Sequence, residues 1–153
     1  MKTKYSLLVL FLFCYGLTFA QKNLFDKFAD MNNVSSVYIS KAMFQMMPDM
    51  QTGGLNLMNM KGKIESLQIL TTENKEQADQ MRKDFSALIN KQHEELMRVK
   101  DGKTNATFYA RKKGELISEL IMLANTEKGF TVIQLLGNFT LKDVQNITAS
   151  MKK

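Results

Sequence analysis

Methionine is the residue type whose placement most invites a chemical reading. Met43, Met46, Met47 and Met50 in the run MFQMMPDM, followed by Met58 and Met60, put 6 of the chain's 12 methionines within 18 residues. Thioethers bind copper(I), so Met43, Met46, Met47 and Met50 are candidate metal ligands. Their spacing of i, i+3, i+4, i+7 is also that of a buried helix face, where methionine serves as adaptable filler. Phe44 sits among them, and neither His nor Cys lies nearby to complete a metal site. Core packing is the expected role, an apolar partner surface the next, and copper the last.

The other reactive residue types find few companions. His93 is the only histidine, and His93-Glu94-Glu95 lacks the second His of a zincin helix. A solvated place at a helix end is expected for it, where its charge suits the negative pole of the helix. The chain has no G-x-S-x-G motif, and Ser35 and Ser36 lie in a strand pattern with no second histidine to serve as base. Glu94/Glu95 and Glu115/Glu119 are carboxylate pairs of the kind glycosidases use. Adjacent residues on a strand point to opposite faces, which disfavours Glu94 and Glu95 acting together. Gly102-Lys103-Thr104 copies the end of a P-loop, but the motif's first glycine would fall at Met97. It also lies between two strand patterns, so a hairpin turn is expected. Arg111-Lys112-Lys113 and Lys152-Lys153 are short basic clusters, and the first is expected to be a solvated turn. No catalytic residue and no cofactor is expected.

The elements that must position these residues follow from hydrophobic periodicity. Residues 23–31 read as a helix, 34–40 as a strand and 41–47 as a short helix stopped by Pro48. Residues 49–61 read as a loop with little regular structure. A strand over 64–71 leads to Asn74 and Gln77, which resemble a capping box. The helix after it carries Ala78, Met81, Phe85, Leu88 and Gln92 along one face. Strands over 95–100, 104–112, 115–124 and 130–139 come next, the first two joined at Asp101-Gly102, a strong hairpin signal. Thr140 and Asp143 resemble a second capping box, with Leu141, Val144, Ile147 and Met151 at helix spacing. The order predicts an α+β fold: a mixed or mainly antiparallel sheet, helices packed on one face, and a C-terminal strand meander followed by a helix.

Composition bounds the rest. The chain has 153 residues, 44% apolar and 24% charged, with one Pro and one Cys, enough for one domain and too little for two. A single Cys excludes an internal disulfide framework and a multi-Cys zinc site. Lys2 and Lys4, an apolar run over residues 7–15 and the small Ala20 describe a secretory signal peptide over residues 1–20. The run is under half the roughly 20 residues of a membrane-spanning helix. Cys14 follows Phe13, which disfavours lipidation. Cleavage is expected to leave a domain over residues 21–153, free of cysteine, with 19 basic and 15 acidic side chains. Such a chain must be held by its core alone.

The runs VSSVYISKAMFQMMPDM, SLQILTTEN and FTVIQLLGNFTLKDVQNI resemble the family called domain of unknown function 4252, over about residues 22–152. The resemblance implies a small exported protein of Gram-negative bacteria with one α+β domain. It carries no reaction, cofactor or site. The expected function is that of an exported, non-enzymatic envelope protein that binds a protein or cell-surface partner through its sheet face or edge. A methionine-based copper(I) handler is the alternative, and a hydrolase with an unrecognised site the lesser one. Neither nucleic acid nor a transmembrane segment after cleavage is expected.

Overall fold

A computed structural model of the chain describes residues 20–47, 51–52, 55–58, 60, 62–89 and 92–149. Residues 1–19, Pro48, Met50, Met151 and Lys152-Lys153, which carry the expected signal peptide, helix stop, fourth thioether and terminal basic pair, lie outside the described residues. The elements run α1 (Ala20–Ala29), β1 (Ser35–Ser40), α2 (Lys41–Met46), β2 (Gln51–Thr52), β3 (Leu55–Asn56), β4 (Ile64–Thr72) and α3 (Lys75–Ile89). The meander β5 (Glu94–Asp101), β6 (Thr104–Lys113), β7 (Leu116–Asn125) and β8 (Phe130–Phe139) follows, and α4 (Leu141–Thr148) closes the series. The expected loop contains the small β2–β3 pair, and its Leu55, Leu57 and Met60 are buried. None of the described helices is long and apolar enough to cross a membrane.

Six strands form one antiparallel sheet in the order β1-β4-β8-β7-β6-β5. Helix α3 carries the chain from β4 to the far edge, where β5 begins. The meander then returns strand by strand until β8 lies against β4. The first turn of that meander holds Gly102 at φ 56°, the left-handed region that a tight hairpin needs and glycine adopts at no steric cost. The α+β fold with its closing meander and helix is as the sequence predicts.

The expectation that helices cover one face is corrected. Alternating side chains of the central strands enter two separate cores. Ile121, Leu123, Phe130 and Val132 pack with α1 and α3 through Phe25, Phe28, Ala78, Met81 and Phe85. Leu120, Met122, Ile133 and Leu135 pack on the opposite side with α2, β3 and α4 through Phe44, Leu55, Val144 and Ile147. The cause is in β7 and β8, ELIMLA and FTVIQLL, which are apolar on both faces. Strands of that kind must be covered on both sides.

Local chemistry fixes the helix starts. At α4 the Thr140 hydroxyl accepts from the Asp143 N–H at 3.2 Å, and the Asp143 carboxylate accepts from the Thr140 N–H at 2.8 Å, a complete capping box. Asp143 also pairs with Lys63 at 2.6 Å. At α3 only half of the box forms. The Asn74 side chain accepts from the Gln77 N–H at 3.1 Å, while the Asn74 N–H donates to the Thr72 hydroxyl.

Candidate functional site

Four interruptions of strand register lie at one end of the sheet. They fall between Ile64 and Ser66 on β4, Glu95 and Met97 on β5, Arg111 and Lys112 on β6, and Ile117 and Glu119 on β7. Bulges re-aim side chains and concentrate near functional sites. Just inside them, ordinary strand alternation puts Ser66, Arg111 and Glu119 on the same face as Leu70, Tyr109 and Ile121, toward α1 and α3 and beyond the apolar part of that core. The Ser118 hydroxyl donates to the Arg111 carbonyl at 3.1 Å and satisfies the bulged backbone.

Glu119 is the centre of this end. Its side chain is fully buried in an otherwise apolar strand. Its Oε2 accepts from His93 Nε2 at 2.8 Å and lies 3.3 Å from Arg111 Nη2, while Oε1 accepts from Gln134 Nε2 at 2.5 Å. Burial pushes the Glu119 carboxyl up, but hydrogen bonds from His93 and Gln134 and the charge of Arg111 outweigh it. The carboxyl is held below its usual range and stays ionised.

Beside this cluster opens a groove of about 650 Å³ between the sheet and α1. Its floor carries Tyr38, Gln68 and Gln134, which stand in direct cross-strand register on β1, β4 and β8. Ser36, Ser66 and Arg111 continue that floor, and Asp26 stands on the α1 wall.

The placement corrects several sequence-level expectations. His93 is no solvated helix-end residue; its ring is 1% exposed, Nε2 is on Glu119, and Nδ1 is buried without a partner. Arg111 belongs to the Glu119 cluster instead of a solvated turn. Lys112 pairs with Glu94, and Glu95 with Arg98. Glu115 is an exposed turn residue while Glu119 is buried, so these carboxylates form no matched acid–base pair. Gly102-Lys103-Thr104 forms the β5–β6 hairpin. Ser36 lines the groove, but the one histidine is committed to Glu119. Sequence reasoning missed Arg111, Gln134, Gln68 and Tyr38 as neighbours. A signal was available in Glu119 and Gln134, each a polar residue in the middle of an apolar strand.

The methionines form a second surface. Met43, Met46 and Met47 are 41%, 71% and 48% exposed, so the core reading of this cluster is overturned for them. Helix α2 is six residues long and buries Phe44 alone against the sheet. Too short to present a continuous stripe to the core, it leaves its thioethers outside. The helix continues directly from β1, whose Val37 and Tyr38 are also exposed. Among the described residues strand β1 is an edge of the sheet, with the sequence SSVYIS, uncharged and regular in register. The opposite edge, β5, is EELMRVKD, with five charged residues and a bulge. Charges and bulges are the usual protection of a sheet edge against pairing. β5 carries both and β1 neither.

Residues 26–147 match the family model described as domain of unknown function (DUF4252). No curated protein and no solved structure matches the chain.

Proposed function

The chain belongs to the DUF4252 family, and from that premise we propose that it is an exported, non-enzymatic protein of the cell envelope that binds a protein partner along β1. The observation that carries this reading is the contrast between the two sheet edges. An extended apolar segment of a partner would add a strand to β1, using the unpaired backbone groups for affinity. Its side chains would meet Val37 and the flexible thioethers of Met43, Met46 and Met47, a surface that re-packs to suit what it meets. Export rests on the signal-like first twenty residues. The non-enzymatic reading is supported by His93, whose two ring nitrogens are spent on Glu119 or buried.

Affinity capture from the native envelope fraction, comparing the parent with Val37→Lys, tests the proposal. A charge on the edge should abolish capture of the main partner while leaving the melting temperature within a few degrees. Equal capture by a folded Val37→Lys variant would overturn the edge as the binding surface. One observation favours a second reading: three exposed thioethers at i, i+3 and i+4, two on one short helix and the third at its C-cap, are open to copper(I). Replacing Met43 and Met47 together by Leu separates the two. Partner capture should survive this swap, because apolar volume is nearly kept. Copper(I) uptake in competition with a chelator would be lost.

A further inference from the structure

We infer that the groove between α1 and the bulged end of the sheet is a binding site for a neutral saccharide, built on the register row Tyr38–Gln68–Gln134 and braced by Glu119. This site shares strand β1 with the proposed edge but uses the opposite face from Val37. Val37 pairs in register with Ile69, which packs into the opposite core, whereas Tyr38 and Gln68 face the groove.

Three features select the ligand class. The first is the spacing of polar groups. Tyr38, Gln68 and Gln134 stand on adjacent strands, so their side chains recur at about 4.8 Å. That presents a phenol and two amides along one line, with the Ser36 and Ser66 hydroxyls beside them. Apart from Gln134, these side chains make no hydrogen bond to any described residue, and their polar atoms are available to a ligand. A polyhydroxylated molecule offers donors and acceptors in alternation, which amides and hydroxyls match in either direction.

The second feature is charge. Arg111 is paired with Glu119, and Asp26 adds a negative group on the facing wall. An anionic ligand would have to displace Glu119 and approach Asp26, while a cationic one would meet Arg111. A neutral ligand meets neither penalty. The third is shape and surface. About 650 Å³ lies within the range of small-ligand sites. Tyr38 is 65% exposed at the rim, an aromatic face on which the C–H side of a sugar ring can lie.

The buried cluster then acquires a purpose. An ion pair is seldom the most stabilising way to fill a core. This one holds Gln134 and Arg111 in fixed positions on the groove floor, and fixed groups bind with less loss of conformational entropy. Gln134 and Arg111 face the ligand, and Glu119 acts through them as a positioning residue.

Titration calorimetry of the purified protein with maltose, cellobiose and N,N′-diacetylchitobiose tests this, with digalacturonate and trialanine as controls. Saturable binding of at least one neutral disaccharide is expected, at least tenfold tighter than either control. Gln68→Ala and Tyr38→Ala should each weaken it by tenfold or more with an unchanged melting temperature, since neither side chain holds the fold. Val37→Lys should leave it intact. Failure of all three neutral sugars to bind, tighter binding of either control, or binding indifferent to a folded Gln68→Ala variant would overturn the assignment.

Discussion

Glu119 is the most deeply buried carboxylate among the described residues. A buried carboxylate is tolerated because His93, Gln134 and Arg111 supply hydrogen bonds and charge where water has been excluded. Removing it strands His93 and leaves Arg111 without its partner. Glu119→Ala is expected to cost about 3–5 kcal/mol in urea unfolding. The same residue shapes the response to acid. Its folded carboxyl titrates below the unfolded one, so the folded state releases this proton more readily. The associated stability is complete above the ordinary value of 4.5 and is lost as pH falls through the lower folded value. Asp143, where burial is outweighed by the Lys63 and Thr140 bonds, acts in the same sense below its ordinary 3.8. Stability measured by denaturant at a series of pH values should therefore decline as pH falls below about 5. Glu119→Gln should remove part of that decline. An unchanged acid profile in this variant would mean that Glu119 does not carry the charge described.

Helices α2 and α3 show how one sequence pattern leads to two outcomes. Both have apolar residues at i, i+3, i+4 spacing, and only α3 places them in a core. Phe85 is fully buried, with its ring 4.8 Å from that of Phe25 and 5.7 Å from that of Phe28. Phe85→Ala should cost about 3–5 kcal/mol. Met46→Ala, at an exposed position of α2, should stay within about 0.5 kcal/mol. Chemical denaturation of the two variants side by side checks the contrast, and comparable losses would contradict it. Length explains the difference. Fifteen residues span about four turns and can lay a stripe along the sheet, whereas six cover less than two and anchor through Phe44 alone. Periodicity is legible in a sequence, but which partner surface meets a short helix is not. For the same reason the strands, the Asp101-Gly102 hairpin and the Thr140 cap were readable, being set by local chemistry. The union of His93 with Glu119 was not, because it depends on α3 carrying the chain to the far edge, two strands away from β7. The double covering of the sheet was half visible, in the unbroken apolar runs of β7 and β8.

The whole sheet is asymmetric: a core lies on each face, β5 is guarded, and β1 is an edge with no strand beyond it among the described residues. No disulfide within the chain reinforces it, since Cys14 is its single cysteine. Reducing agent should leave its melting temperature unchanged. The asymmetry makes a sharper prediction for backbone amide exchange. Strands β7 and β8 are hydrogen-bonded on both sides and lie between two cores, so their amides should open only with global unfolding. Among the described strands β1 is bonded to β4 alone, and in an antiparallel pair alternate residues of an edge strand point their N–H groups away from the partner. Within SSVYIS, protection should therefore alternate from residue to residue, with the outward amides exchanging at rates near those of a free chain. Strand β5 is also an edge, but its charges should make pairing there unfavourable. A partner that adds a strand to β1 should slow the outward amides of β1 and leave those of β5 unchanged. Protection arising equally at both edges, or none at β1 when the captured partner is saturating, would refute strand addition.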